Sequence, residues 1–500
     1  MTNLPTITLD TTLADLYRRA SPKNANKKIA QVLCGINSAS ELSANVPRNA
    51  KYLYQDSPFN SIPKEGSANG HTGNKKQQQE LAVKYLSLIP QRDAFISGDT
   101  AVVLFNIDET KKQKAHDKDE AHKTISVLAK NQQPDLIFCP GPSKIPIKDA
   151  GIDLIAYKLV LDGLEDYNLI VPPETHWFLN SKAALAESGL PTPKSKIVEL
   201  DGLAGEARLC CTLCKGDTAE FVIPQACSGA SPSVRAQEPT NVWGAGTYII
   251  NTEEDREKVV QDFRDGILRK LLSSVTDSNV HLRPAALVLS DLVENPIGDY
   301  GLTFFVTDDG SEPIFLAASE QMIDDDKAWI GSTINYARQD ELKRKFGALV
   351  KKIAVWLRRH GYVGPAGADV LETAPTTNGQ KPNGHRANDS RQEEDFSHFH
   401  VVDLNIRTSG SLCLPLLQGH FTSRGFWSGS SFSISLKKTR AEFINEFREK
   451  FVSGQMCIIS WYEDPDTGVS LADVAVGAEG QKGLRKAMKS VRDATDEVTF

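Results

Sequence analysis

Short apolar runs alternate with helical patterns in the first third of the chain, and this order restricts the choice of fold. Ala101–Phe105 and Asp135–Cys139 have the composition of buried β-strands, and residues 122–130 show a helical pattern. Parallel strands need a long crossover connection, which is usually a helix. The sequence therefore predicts an N-terminal α/β domain with at least partly parallel strand pairing.

Paired strands and one long helix dominate the middle of the chain instead. Residues 301–306 and 312–318 have strand patterns, and Asp308-Asp309-Gly310 between them is typical of a hairpin turn. Residues 339–360 carry apolar side chains at helical spacing, and Gly361 suits the position just after a helix C-terminus. An α+β region is therefore expected to follow the α/β start.

Two polar segments interrupt these patterns. Residues 56–79 and 373–395 are rich in Gly, Asn, Pro and charged side chains, so they cannot bury a core. We expect both to be loops or disordered insertions, and the second to separate two core strands.

The charge balance and the short apolar runs exclude several classes of partner. Lys and Arg number 57 and Asp and Glu number 64, which gives a net charge of −7. No general positive field attracts nucleic acid. No apolar run approaches the about 20 residues that span a bilayer, and Asp10 and Asp15 interrupt the N-terminal stretch where a signal peptide is apolar. We expect a cytoplasmic protein without nucleic-acid or membrane partners.

Carboxylates and an amide cluster in the segments that flank the second insertion. Residues 400–411 have a strand pattern, in which Asp403, Asn405 and Arg407 point to one face because side chains alternate. Asp369 lies in the preceding strand, and such oxygen ligands suit Mg²⁺, which usually shares its shell with phosphate oxygens. The pattern predicts a magnesium site of Asp369, Asp403 and Asn405. A solvated edge-strand face is the alternative.

Four motifs occur in an order that resembles the ATP-grasp superfamily. Residues 179–193 resemble its opening lysine helix, and residues 221–223 followed by 244–250 resemble its strand and Gly-rich loop. Residues 290–296 are similar to its adenine hinge, and the strand with Asp403, Asn405 and Arg407 is similar to its Glu/Asp-x-Asn-x-Arg strand. The resemblance covers roughly residues 180–418. Within the superfamily it is nearest to proteins of filamentous fungi, often encoded beside small-molecule biosynthetic enzymes.

This resemblance implies a domain organisation. Residues 1–175 are expected to form an N-terminal α/β domain, and residues 176–440 a two-subdomain ATP-grasp fold. A small lid subdomain is expected at about 205–285. Residues 441–500 are expected to form a C-terminal helix-hairpin-helix that completes the fold.

The resemblance also implies a phosphate site. Lys182 and the backbone N–H groups of Gly244 and Gly246 would bind the nucleotide phosphates, as charge and oriented amides do elsewhere. Pro224 stands where the family usually has a second lysine, and Lys215 is a candidate substitute. A solvated helix lysine and an ordinary hairpin turn are the alternative interpretations of Lys182 and the loop.

A base site and a substrate site complete the expectation. The main chain of Asp291 and Val293 would bind adenine, and Glu294 or Asp299 a ribose hydroxyl, although either carboxylate could equally be a solvated loop residue. Arg407 would hold the substrate carboxylate or stabilise an acyl-phosphate.

The resemblance implies an ATP- and Mg²⁺-dependent ligase. Such an enzyme activates a carboxylate as an acyl-phosphate, releases ADP and joins the acyl group to an amine, here in small-molecule biosynthesis. No Ser-His-Asp or Cys-His arrangement is evident, and this chemistry needs none. The alternatives are a nucleotide-binding protein with little ligase activity and an acyl-activating phosphotransferase. Dimers are common in the family, so a homodimer is one expectation for assembly.

Overall fold

The structure is a computed structural model. It describes residues 4–33, 49–53, 90–105, 110–198, 234–237, 247–267, 272, 275–323, 329–375, 395–464 and 468–495. The strands in these ranges form three β-sheets, and no helix in them is long and apolar enough to cross a membrane.

The first sheet has four parallel strands. Its elements and the helices beside it are α1 Leu13–Ala20, β1 Ile29–Val32, β2 Ala101–Phe105, α2 Lys111–Ile125, β3 Asp135–Cys139, β4 Leu154–Tyr157 and α3 Pro173–Leu179. The strand order is β3-β2-β1-β4, and every neighbouring pair is parallel. The predicted bounds of β2 and β3 and the α/β character of this region are confirmed.

The helix between β2 and β3 does not lie where the sequence pattern places it. Helix α2 ends at Ile125, whereas the pattern extends to residue 130. The Ile7 N–H donates to the Val127 carbonyl (2.8 Å), and the Ala129 N–H donates to the Ile7 carbonyl (2.9 Å). Residues 127–129 thus pair with the N-terminal segment. The apolar spacing within residues 122–130 does not indicate this contact.

The second sheet has four short antiparallel strands. Its region contains α4 Lys182–Glu187, β5 Ser195–Val198, β6 Val234–Gln237, β7 Thr247–Ile250, α5 Glu253–Asp262 and β8 Leu287–Asp291. The strand order is β5-β8-β6-β7. Ser181 caps α4, since its hydroxyl accepts a hydrogen bond from the Ala183 N–H (3.2 Å). Gly189, at a φ of 70°, follows the end of this short helix.

The third sheet has eight antiparallel strands. Its region contains β9 Gly298–Val306, β10 Ile314–Ile323, β11 Trp329–Asn335, α6 Gln339–Arg359, β12 Gly364–Glu372, β13 Phe399–Asn405, α7 Cys413–Leu416, α8 Gln418–Thr422, β14 Ser428–Leu436, α9 Arg440–Glu446, α10 Arg448–Val452, β15 Met456–Glu463, β16 Ser470–Ala478 and α11 Gln481–Arg492. The order is β13-β12-β9-β10-β11-β14-β16-β15. This antiparallel sheet and its helices confirm the expected α+β character. The hairpin predicted at Asp308-Asp309-Gly310 is confirmed as β9–β10.

Helix α6 covers one face of the third sheet. The centroid of the Phe346 ring lies 4.9 Å from that of the Tyr300 ring on β9. Full burial of one such side chain contributes about 1.5–3 kcal/mol relative to exposure. The predicted apolar stripe is confirmed, since all its members are buried: Leu342, Phe346, Leu349, Val350, Ile353 and Leu357.

The end of α6 gives a stability prediction. Gly361 follows the helix at a φ of 80°, so Gly361→Ala should lower the free energy of unfolding by about 1–2 kcal/mol. Gly347 is the matched control inside the same helix, where an added Cβ would meet no atom within 4 Å. Gly347→Ala should instead raise stability by up to about 1 kcal/mol. Thermal unfolding should show shifts of opposite sign, and a Gly361→Ala protein as stable as the parent would contradict this helix end.

Strands β12 and β13 form a hairpin whose ends are held together. Glu372 pairs with Phe399, and the Thr373 N–H donates to the His398 carbonyl (2.9 Å). Most of the polar segment predicted as an insertion connects these ends. Its residues 376–394, like residues 56–79, lie outside the described part of the chain.

Candidate functional site

Two carboxylates face each other across β12 and β13. Asp369 is directly opposite Asp403 in the antiparallel register, so both side chains are on one face of the sheet. Asn405 is on the same face as Asp403 because it is two residues further along the strand. The register shifts next to the Asp369–Asp403 pair, where Val370 faces Val401 and Val402 is the extra residue of a bulge. The three predicted metal ligands therefore share one small area.

Lys182 joins this area from a different part of the fold. It is the first residue of α4, and its ammonium contacts the Asp403 Oδ1 atom. The Lys182 side chain is 6% exposed and that of Asp403 is 28% exposed. The alternative interpretation of Lys182 as a solvated helix lysine is therefore wrong. Strand β13 is an edge strand, but its Asp403 is engaged by a buried cation.

The predicted strand that carries these residues is shorter than expected. Strand β13 ends at Asn405 rather than residue 411, since its pairing with β12 stops at Gly367 and Asn405. The side chains nevertheless continue to alternate, because Ile406 and Thr408 are buried while Arg407 is partly exposed. Arg407 lies just past the end of the strand, two residues after Asn405.

An asparagine that the sequence analysis did not single out holds Arg407. The Arg407 Nη1 group donates to Asn180 Oδ1 (3.0 Å), and the Ile406 N–H donates to the same oxygen (3.2 Å). Asn180 Nδ2 lies 3.2 Å from His176 Nδ1 and donates to the His176 carbonyl (2.8 Å). Asn180 and Arg407 are 227 positions apart, so no local signal connects them.

Burial keeps His176, the last residue of this series of hydrogen bonds, neutral. Desolvation, reinforced by the charge of Arg407, lowers the pKa of His176 to about 3. A neutral His176 ring can accept the Asn180 amide hydrogen at Nδ1. Burial also lowers the pKa of Lys158 to about 8, against the opposing effect of Asp93 at 2.5 Å. Burial and the charge of Arg407 together thus disfavour a positive charge on His176.

Because His176 is neutral in the folded protein, we expect the protein to lose stability in acid. Between pH 6.5 and about 3 the unfolded chain protonates His176 while the folded chain does not, so stability is lost as the pH falls through this window. The loss is about 1.4 kcal/mol per unit of pKa difference. His176→Gln retains a hydrogen-bond acceptor, and should flatten the dependence of the melting temperature on pH from 6.5 to 4. An unchanged slope in His176→Gln would contradict the assignment.

A cleft lies between Lys182 and the end of β8, the segment predicted to be the adenine hinge. Its walls include Lys182 together with Asp291 and Val293 at the end of β8, and Val401 and Val402 of β13. The described walls enclose about 50 Å³, less than the about 300 Å³ at the lower end of ligand pockets. A nucleotide therefore needs a wider cleft than these walls form.

The hinge main chain has one group already in use. The Asp291 N–H donates to the Lys194 carbonyl (2.9 Å), so the donor to a base would have to be the Val293 N–H, with the carbonyl of Asp291 or of Val293 as acceptor. Glu294 is exposed and is not among the described residues that line the cleft. The remaining predicted phosphate ligands, Lys215, Gly244 and Gly246, lie outside the described residues, as does Pro224.

The donor set can be tested against a metal ion. Among the described residues no group of three or more His, Cys, Asp and Glu side chains could hold one. The candidate site offers two carboxylates and one amide, which is too few for an all-protein cage. Mg²⁺, however, is usually bound through one or two carboxylates with phosphate and water completing its shell. The residues therefore fit a metal that is shared with a phosphate ligand.

The comparisons with known proteins give distant structural similarity and no family. No protein-family model and no curated protein matches the chain. Among solved structures it is similar to N5-carboxyaminoimidazole ribonucleotide synthetase from Thermus thermophilus, at 12% identity and a TM-score of 0.45, over 82% of this chain and 97% of that one. It is also similar to biotin carboxylase from Campylobacter jejuni, at 13% identity and a TM-score of 0.45, over 83% and 89% of the two chains. At these values the function has to be argued from the site itself.

Proposed function

We propose that this protein is an ATP- and Mg²⁺-dependent ligase that joins a small-molecule carboxylate to an amine. The observation that carries the proposal is the Asp369–Asp403 pair, with Asn405 beside it and the buried Lys182 in contact with Asp403. The same lysine lines the hinge cleft. A buried cation, two facing carboxylates and the end of β8 thus lie close together, and this arrangement supports phosphoryl transfer, which depends on positioning and charge neutralisation.

Asp369, Asp403 and Asn405 would hold Mg²⁺ with the nucleotide phosphates. The bound metal would neutralise phosphate charge. Lys182 is placed to supply a second positive charge, because its ammonium already lies at the carboxylate edge of this area. Its stem is buried, so its reach is confined to the carboxylates and the cleft. The Val293 N–H would donate to the base, and the carbonyl of Asp291 or of Val293 would accept from it.

Arg407 would bind the carboxylate substrate. Asn180 fixes one of its guanidinium nitrogens, which leaves the planar group in a defined orientation for recognition of a carboxylate. In the first step a carboxylate oxygen attacks the γ-phosphorus, and the bond to ADP breaks. In the second step the amine nitrogen attacks the acyl carbon, phosphate leaves with the bonding electrons, and the nitrogen loses a proton to solvent.

The sequence supports two finer parts of this proposal. The resemblance to the ATP-grasp superfamily favours ADP rather than AMP as product, and the likeness to fungal proteins favours a role in small-molecule biosynthesis. A second candidate function is nucleotide binding with little ligase activity. Pro224 favours it, because proline supplies neither charge nor an N–H where the family usually has a lysine.

Product analysis tests the proposal. The protein is incubated with Mg·ATP and a mixture of carboxylic and amino acids, and nucleotides and phosphate are separated chromatographically. We expect ADP and phosphate in equal amounts, formed only when both substrate classes are present. AMP with pyrophosphate would contradict the acyl-phosphate route. Nucleotide binding without any turnover would favour the second candidate.

A further inference from the structure

The ammonium of Lys182 already contacts a residue that is proposed to bind the metal. It touches the Asp403 Oδ1 atom, and Asp403 directly faces Asp369 across β12 and β13. A cation of the protein therefore lies at the carboxylates that the metal would use. The contact joins residues 221 positions apart, so the tertiary fold creates it rather than local geometry.

Burial holds the lysine in this position. Its side chain is 6% exposed. It is the first residue of α4, and the next three residues, Ala183, Ala184 and Leu185, are also buried. Water therefore has little access to the ammonium, and separating the pair would leave a charge in a poorly solvated place. The ammonium thus stays on Asp403 until another anion replaces that carboxylate as its partner.

The ammonium and a divalent metal ion compete for Asp403. Two positive charges a few ångströms apart repel each other, and the repulsion is strongest where water is scarce. The ammonium also occupies one of the two oxygens that Asp403 can offer a metal. Mg²⁺ loses its hydration shell reluctantly, and it is usually bound by only one or two carboxylates together with phosphate oxygens. Without a nucleotide, Mg²⁺ therefore gains little by displacing the lysine.

Nucleotide phosphates would change this balance. Lys182 lines the cleft that Asp291 and Val293 also line, so phosphates bound in this cleft would meet the same ammonium. An ammonium that moves to a phosphate releases Asp403, and the phosphate oxygens supply the ligands that Mg²⁺ lacks. Each ligand then favours binding of the other, and at equilibrium this effect is reciprocal.

We propose that Lys182 competes with the metal for Asp403 in the nucleotide-free protein, and that nucleotide phosphates admit Mg²⁺ by drawing the ammonium away from this carboxylate. The protein then binds the metal weakly by itself and tightly only together with the nucleotide. This inference rests on the proposed function, because it takes the metal ligands and the phosphate site from it.

Metal binding without nucleotide tests the lysine directly. Mn²⁺, which suits the same oxygen ligands, is titrated into the full-length protein, and the free ion is measured by electron paramagnetic resonance. Lys182→Met should bind Mn²⁺ at least about tenfold more tightly than the parent, the lower end of the effect of a hydrogen bond to a charged group. Lys182→Gln, a second neutral variant, should also gain affinity. Melting temperatures without metal establish that each variant is folded.

Two further variants locate the effect. Lys351→Met removes the cation of an exposed pair with Glu312, and it should bind Mn²⁺ as weakly as the parent. Adding Asp403→Asn to Lys182→Met should remove the gain. Equal Mn²⁺ affinities in the parent and in both neutral Lys182 variants would overturn the inference, and so would a gain that persists without the Asp403 carboxylate.

A separate titration distinguishes this inference from the proposed function. The parent and the Asp403→Asn protein are each titrated calorimetrically with a non-hydrolysable ATP analogue and Mg²⁺. Binding that Asp403→Asn weakens, combined with no gain in Mn²⁺ affinity in the lysine variants, would refute the competition and leave the proposed function standing. No binding of the analogue by the parent would refute both.

Discussion

Replacing Asp403 with asparagine is expected to lower ATP turnover at least about 100-fold. The substitution keeps the shape of the side chain but removes one of the two carboxylates that face each other across β12 and β13. Changing an outer-shell partner of a metal typically costs 10–100-fold in metal affinity or activity, and loss of Asp403, which we propose as a direct ligand, should reach at least the upper end. ADP release is measured at limiting and saturating Mg²⁺, and a high Mg²⁺ concentration should restore part of the rate.

Glu320 provides a matched control for this substitution. It is also a strand carboxylate of the third sheet and also pairs with a cation, since it lies 2.9 Å from Arg338. Its side chain is 44% exposed. Glu320→Gln should therefore keep nearly the parental turnover and Mg²⁺ dependence. Parental turnover in Asp403→Asn would show that the metal lies elsewhere.

Replacing Lys182 with methionine is expected to weaken ATP binding by about 1.5–3 kcal/mol, the range for a hydrogen bond to a charged group. This corresponds to a roughly 10- to 150-fold rise in the dissociation constant. Methionine retains most of the buried stem, so the loss reports on the ammonium. Calorimetric titration with ATP and Mg²⁺ gives the constant directly. An unchanged affinity would remove Lys182 from the phosphate site.

The contact between Lys182 and Asp403 allows structural and functional losses to be separated. Each single substitution removes one member of this ion pair and should lower stability by about 1–3 kcal/mol, less than for a fully buried pair because Asp403 is partly exposed. The double variant removes both charges and should regain much of the stability, yet remain inactive. Lys351→Met, which breaks an exposed pair with Glu312, should change stability by less than about 1 kcal/mol. Strictly additive losses in the double variant would show that the pair is not coupled.

Local patterns in the sequence predict much of this fold. The bounds of β2 and β3 follow from their apolar composition, and helix α6 follows from one continuous stripe with Gly361 at its end. The alternation of Asp403, Asn405 and Arg407 follows from strand geometry, and it persists even where the strand has ended. These features are predictable because each depends on neighbours within a few residues.

Contacts between distant segments are not predictable in this way. The N-terminal residue Ile7 shortens α2 by pairing with Val127 and Ala129. No spacing rule indicates that Asn180 holds Arg407. Nor was a Cys–His contact evident, although Cys457 Sγ lies 3.5 Å from His420 Nε2.

That cysteine contact does not form a nucleophile pair. The histidine N–H is given to the Gly454 carbonyl, so this nitrogen cannot take the thiol proton. Burial also raises the pKa of the Cys457 thiol to about 12. Cys457 and His420 are therefore in contact without being arranged as a nucleophile and its base, and only the geometry reveals this.

The closed end of the β12–β13 hairpin bears on how this chain can change in evolution. Because Glu372 pairs with Phe399 and the Thr373 N–H bonds to the His398 carbonyl, the register of Asp369 and Asp403 is fixed independently of the connection between them. Closing a flexible loop costs only about 0.6 kcal/mol more for each doubling of its length. A change in the number of residues between Thr373 and His398 therefore leaves the two carboxylates facing each other, whereas a single deletion within either strand would turn one carboxylate to the opposite face.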